Sequence, residues 1–243
     1  MRPFRMRILG IIPARAGSTR IANKNIRVLG GRPLIEWTIE AAHNANCLGS
    51  LIVSTDSEEI AATARSAGAD VPWLRSKLLA TETADVVDAV LEVLERIELS
   101  GSVMPDGVLL LQPTSPFRTS DSIRGACEAF AQGCGRSVVS VRPARDHPAW
   151  CKTIDEQGYI QLAVPENRVS QRSQDLPPVY AINGAIYIST PKTLRSERSF
   201  YSAQTIAFVM HSQIEGLDID TPDDWMIAEA FVNARRVPED AAP

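Results

Sequence analysis

The feature that most constrains this chain is an alternation of short, almost wholly apolar runs with longer segments of helical apolar spacing. Ile8 to Ile12 opens the series as a buried strand, and Leu34, Ile35, Trp37, Ile39, Ala41 and Ala42 follow at helical spacing. "SLIVSTD" is a second strand ending at Asp56, and Ser57 to Ala67 returns to the helical period. Val86, Val90, Val93 and Ile97 mark a longer helix, "GVLLLQPTSP" a strand, Ile123, Ala126, Cys127 and Phe130 another helix, and "RSVVSV" the next strand. Strands without a polar face must be covered on both sides. The pattern predicts an α/β protein, a Rossmann-like three-layer α/β/α sandwich around a mostly parallel sheet.

The texture changes at about residues 142–180, where "RPARDHPAW", "DEQG" and "DLPPVY" lack helical periodicity. This stretch is expected to be an inserted hairpin or arm with a turn at Asp155 to Gly158, within one domain that spans residues 1–243. Strands resume at "GAIYIS" and "TIAFVM". The last helix is expected to start at "DTPDDW", with Thr221 as N-cap, Pro222 at the first helical position and Asp224 closing a capping box. The tail "VPEDAAP" is expected to fray.

Charge and cysteine usage remove several function classes. A net charge of -4 gives no general pull toward nucleic acid or an anionic membrane, so any basic site is local. No basic helix of a DNA reader is present. Cys47, Cys127, Cys134 and Cys151 form no CxxC pair and stand beside three histidines, which argues against a zinc site and for reduced thiols in a cytoplasmic protein. The apolar run at Ile8 to Ile12 is too short for a signal peptide core, and no run approaches a membrane span.

Four strand ends carry polar clusters, and in open α/β sheets ligands gather at the carboxyl ends of strands. The loop "ARAGSTRIANKN" combines small residues, Gly17 and Ser18 among them, with Arg15, Arg20 and Lys24. Backbone N–H groups between small residues can surround phosphate oxygens, and the cations add charge-assisted bonds. The loop has neither GxxxxGK[ST] nor GxGxxG, so it is neither a Walker A loop nor a dinucleotide fingerprint; a solvated basic loop is the alternative. Asp56 either meets a ligand or, more simply, caps the following helix. Gln112 ends an apolar strand in "LLQPTSPFR", where its amide can read a sugar or base edge or merely belong to a proline turn. Asp218 and Asp220 in "GLDIDTPDDW" alternate along extended chain and so share a side. Two neighbouring carboxylates suit magnesium, which takes one or two of them plus phosphate oxygens, although Asp220 also approaches a helix start. A basic phosphate loop and a carboxylate pair on one sheet edge point to phosphoryl or nucleotidyl transfer from a metal-bound triphosphate.

"IIPARAGSTRIANKNI", "LLQPTSPFR", "INGAIYIS" and "LDIDTPDDW", in this order, resemble the acylneuraminate cytidylyltransferase family, the CMP-sialic acid synthetases, from about residue 8 to about residue 232. The resemblance implies a nucleotidyltransferase that moves CMP from CTP to the anomeric hydroxyl of a nonulosonic acid (an N-acylneuraminate, legionaminic or pseudaminic acid), releases pyrophosphate, uses magnesium or manganese, and pairs as a homodimer through the arm. By the same resemblance Arg15, Lys24 and Asp220 are catalytic. Gly17, Ser18, Arg20, Asn25, Arg75 and the backbone at Ala84 join Arg15 and Lys24 around the nucleotide. Gln112, Arg172, Asn183, Tyr187, Phe200 and Tyr201 line the sugar pocket, and Asp218 and Asp220 hold the metal. The chain departs from common family usage at Ala16 and Thr19, where glycine and lysine are frequent, and at Ser173 and Ala181, where arginines that reach the acidic sugar are frequent. The competing readings are a cytidylyltransferase for 3-deoxy-manno-octulosonate and a catalytically silent nucleotide-binding relative.

Overall fold

The structure is a computed structural model, and residues 6–163 and 176–236 are described. Its core is a six-stranded sheet. In chain order its strands are β1 (Ile8–Pro13), β4 (Ser50–Ser54), β5 (Gly107–Leu110), β6 (Val138–Pro143), β9 (Tyr180–Ser189) and β10 (Ile206–Val209), arranged in space β10-β6-β9-β5-β1-β4. β1 runs parallel to β4 and β5, and β10 parallel to β6, while β9 lies antiparallel between β5 and β6. The mostly parallel reading therefore holds. The reversed strand was not legible, because a strand buried on both faces carries the same apolar run in either direction.

Alternation along each strand builds two cores. On β1, Ile8 and Ile12 face a cluster that also holds Ile35 and Ile39, Leu51 and Val53, Leu109 and Leu111, and Phe130. Leu9 and Ile11 face the opposite cluster with Ile52, Val90, Leu94, Val108 and Leu110. The first face is covered by α1 (Leu34–Ala45), α2 (Glu58–Ser66) and α4 (Ser120–Gln132), the second by α3 (Val86–Leu99) and α5 (Pro191–Glu197). Each such side chain contributes about 1.5–3 kcal/mol on burial. Gly10 is required by close approach: a Cβ there would lie 2.7 Å from Leu51 Cδ1 and 2.8 Å from Leu48 Cδ1.

A third cluster sets the site. Ile21, Leu29, Leu34, Phe117, Ile219, Trp225 and Val232 pack together. They bind α6 (Pro222–Arg236) to the loop after β1, to the two-stranded ribbon β2 (Val28–Leu29) and β3 (Arg32–Pro33), and to the turn after β5. The expected box at the start of α6 is present: Asp224 N–H donates to Thr221 Oγ1 (3.3 Å) and Thr221 N–H to Asp224 Oδ2 (2.8 Å).

The arm is a hairpin of β7 (Lys152–Ile154) and β8 (Ile160–Leu162), with Asp155 at its turn accepting from the Gln157 and Tyr159 N–H groups. The terminal tail from residue 237, with its expected fraying, lies outside the described residues, as do Arg172 and Ser173. Among the described residues no helix is long and apolar enough to cross a membrane.

Candidate active site

Register places the site. Pro13 pairs with Ser54, and Leu111 N–H donates to Ile11 O, so the chain leaves β1, β4 and β5 along one edge of the sheet. At that edge a cleft of about 480 Å³ opens. Arg15, Ser18, Arg20, Lys24 and Asn25 line it from the first loop, Arg75 and Ala84 from the segment ahead of α3, Gln112 from the end of β5, and Asp218 and Asp220 from the approach to α6. Gly17 belongs to the same loop but does not line the cleft, and nothing lies within 4 Å of a Cβ built on it.

The loop is tied down at several points. Asn25 is buried and donates from Nδ2 to Arg15 O (2.9 Å), closing the loop on itself. Lys24 Nζ donates to Ile219 O (2.7 Å) and to Asp220 Oδ1 (3.1 Å), and Arg20 approaches Asp220 Oδ2 at 3.8 Å. Arg15 makes no ion pair among the described residues. Thr19, the chain's departure at a position where lysine is frequent, donates to Glu82 Oε1 (3.0 Å) and joins the loop to the opposite wall.

Arg75 stands at that wall, buried, with its guanidinium donating from Nε to Ser54 Oγ (3.0 Å), from Nη1 to Leu79 O (3.4 Å) and from Nη2 to Ser54 O. Burial lowers its pKa, and the charge of Asp56 works in the other direction. Asp56 itself is not the cap of α2. Ser57 fills that position, its Oγ accepting from Ile60 N–H (3.4 Å), and Asp56 Oδ1 accepts instead from Ala16 N–H (2.9 Å).

On the carboxylate side, Ile219 is fully buried and its N–H donates to Thr114 O (2.8 Å), which presents Asp218 and Asp220 on either side of a fixed residue. Asp218 remains partly open to solvent, yet the cleft walls desolvate its carboxylate and push its pKa up, with the Thr114 hydroxyl pulling down and the charge of Asp220 adding to the rise. Gly184 approaches both sides of this corner: its Cβ would lie 3.6 Å from Gln112 Oε1 and 3.7 Å from Asp218 Oδ2, and its φ of +76° is one that glycine adopts freely. Fully enclosed Arg118 donates from Nη2 to Gln112 O, while its Nε and Nη1 have no hydrogen-bond partner among the described residues. Burial lowers the Arg118 pKa and Asp218 opposes that shift.

The sugar-side residues do not all meet the cleft. Asn183 is buried, and its amide serves the sheet: Oδ1 accepts from Ser140 Oγ (2.6 Å) and from Ala185 N–H (3.2 Å), and Nδ2 donates to Met210 Sδ (3.2 Å). Tyr187, Phe200 and Tyr201 form an aromatic cluster, with Tyr187 centroids 5.8 Å from Phe200 and 6.2 Å from Tyr201. They lie outside the cleft lining, although burial, Tyr201 and Asp218 together push the Tyr187 hydroxyl above its usual range. Asp56 reads in the sequence equally as ligand contact or helix cap, and Arg118 stands out by no chemistry of its own. The one signal for Arg118 was its place at the end of the "QPTSPFR" motif; its burial could not be read from a charged residue type.

A basic loop and a carboxylate pair facing each other across a mostly polar cleft at the carboxyl edge of such a sheet define a nucleotidyltransferase. The cytidylyltransferase family model matches residues 9–224, and the chain belongs to that family. It is 48% identical to the CMP-N,N'-diacetyllegionaminic acid synthase of Legionella pneumophila, over 93% of this chain and 97% of that protein. It is 35% identical to an N-acylneuraminate cytidylyltransferase of Streptococcus agalactiae, over 91% of this chain but only 52% of that longer protein. The pseudaminic acid cytidylyltransferase of Campylobacter jejuni is 31% identical over 92% of this chain and 95% of its own length. Among solved structures, a CMP-2-keto-3-deoxy-manno-octonic acid synthetase complexed with CTP superposes with a TM-score of 0.71 over 94% of this chain and 99% of that one, at 16% identity, which speaks for the fold.

Proposed function

We propose that the protein transfers CMP from CTP to the anomeric hydroxyl of a nonulosonic acid, with a legionaminic acid as the first acceptor to test. The observation that carries this reading is one cleft in which the loop cations face the Asp218–Asp220 pair, in a chain 48% identical to a legionaminic acid-activating enzyme.

Arg15, Arg20 and Lys24 neutralise the triphosphate, and Arg75 with the backbone near Ala84 bounds the base end. Gln112, facing Gly184, contacts the sugar, and the Tyr187 cluster forms the wall beyond it. Asp218 and Asp220 fit a magnesium or manganese ion: they are hard oxygen donors that line one cleft opposite the loop cations. That ion would polarise the α-phosphate and stabilise the departing pyrophosphate. Lys24 holds Asp220 in place before substrate arrives, and Asp220, half exposed, is the carboxylate that accepts the proton of the attacking hydroxyl. Four free thiols support a cytoplasmic location.

A second copy of the chain is proposed as partner through the arm. Ile154 and Ile160 stand opposite each other on the hairpin and are 73% and 70% exposed, and Trp150, Tyr159 and Tyr180 are further exposed aromatic residues of the same stretch of chain. Such a patch on a small two-stranded element suits a subunit contact.

Pyrophosphate release tests the function. With CTP and magnesium, turnover is expected with a nine-carbon acid of the legionaminic, neuraminic or pseudaminic type. Turnover with 3-deoxy-manno-octulosonate alone, or with ATP, GTP or UTP equally well, would overturn the assignment.

A further inference from the structure

We propose that Asp56 is a positioning residue that sets the phosphate loop and couples it to the base-side wall; this rests on the reading that the loop holds the phosphates of CTP. The last residue of β4 and the two after it reach both walls of the cleft. Ser54 O accepts from Ala14 N–H (2.9 Å) on the loop side and from the Arg75 guanidinium on the other. Ser54 Oγ accepts from Arg75 Nε (3.0 Å), and Thr55 O accepts from Arg75 N–H (2.7 Å). Asp56 Oδ1 then accepts from Ala16 N–H (2.9 Å).

The neighbouring ties, from Asn25 to Arg15 O and from Thr19 to Glu82, leave the Ala16 N–H to Asp56. Ala16 and Gly17 are exposed, a Cβ built on Gly17 would meet nothing within 4 Å among the described residues, and the tight turn from Ser18 N–H to Ala16 O (2.9 Å) starts at the peptide that Asp56 holds. The Asp56 carboxylate therefore fixes the peptide from which that turn starts. It is released for this task because Ser57 caps α2. Asp56 does not line the cleft and acts on nucleotide through Ala16. A charged acceptor on a backbone N–H is among the stronger hydrogen bonds, so its loss loosens the loop where it meets the outer phosphates.

The test is calorimetric titration of CTP and of CMP into the whole protein and into Asp56→Ala and Asp56→Asn. Asp56→Ala is expected to weaken CTP by about tenfold or more while CMP changes by less than about threefold; Asp56→Asn, which keeps an acceptor oxygen, recovers most of the loss. Equal losses for both nucleotides, or no loss for CTP, would overturn the proposal. Amide hydrogen exchange on the unaltered protein is the independent readout should a variant not fold. The Ala16 N–H is expected to be protected relative to those of Gly17 and Thr19, and an equally fast Ala16 would sink the inference. Failure of the unaltered protein to bind CTP would strike the functional reading, while the Ala16 protection would still report on the Asp56 bond.

Discussion

Lys24 Nζ lies 3.1 Å from Asp220 Oδ1, although 196 positions separate them in the chain. The lysine is mostly enclosed and the aspartate half exposed, and the same amine also holds Ile219 O. One contact thus joins the first loop of the sheet to the entrance of the last helix, and it brings a cation of that basic loop to a proposed metal carboxylate.

Lys24→Ala and Asp220→Ala are each expected to lower kcat/KM by about 100-fold or more, because the first removes a cation aimed at the phosphates and the second a carboxylate proposed to hold the metal and take the hydroxyl proton. A partly exposed pair contributes about 0–1 kcal/mol to folding, so melting temperatures should move by no more than about 4 °C. Steady-state pyrophosphate release with thermal melts checks both halves, and full turnover in either variant would refute the site.

The capping box gives a pH dependence with a definite sign. Against the cost of burial, the Thr221 hydroxyl and the Thr221 and Asp220 N–H groups hold Asp224 below the usual carboxylate range. A depressed acid adds stability that is present above its unfolded pKa and lost as pH falls through the folded one. Asp224→Ala should therefore lower the melting temperature most near neutral pH, and the gap to the parent protein should close below about pH 4. Thr221→Ala should cost about 0.5–2 kcal/mol near neutral pH and less in acid, because its hydroxyl is one of the groups that depress Asp224. A gap that widens toward acid would contradict the assignment.

Gly184→Ala tests the corner between Gln112 and Asp218. The new methyl meets both at ordinary contact distance, so the main penalty is its φ of +76°, about 1 kcal/mol or more. KM for the acid sugar is expected to rise several-fold with KM for CTP nearly unchanged. A change confined to CTP would place the sugar elsewhere.

The hairpin tip predicts the assembly. Ile154→Asp combined with Ile160→Asp places two charges on the exposed apolar face and should convert a dimer to a monomer in light scattering. Parent protein that is already monomeric at micromolar concentration would remove the arm from the proposal.

Much of the fold was legible because its signals are local. The apolar runs of β1, β4, β5 and β6, the spacing of α1, α3 and α4, the turn at Asp155 and the Thr221–Pro222–Asp224 start of α6 each follow from periods and caps within a few residues. The short α5 was not anticipated, since seven residues carry little periodicity, and neither was the ribbon β2–β3.

By itself, the sequence determined an α/β sandwich, a basic loop, a carboxylate pair and membership of a cytidylyltransferase family, because periodicity and motif chemistry are properties of contiguous residues. Only the tertiary structure decided the direction of β9, the burial of Arg118 beside Gln112, the inward turn of the Asn183 amide and the choice of Asp56 for the loop after β1 over the helix cap. These depend on which strand ends become neighbours, and hydrogen-bond donors and acceptors of one residue type find different partners according to what the register of distant segments brings within about 3 Å.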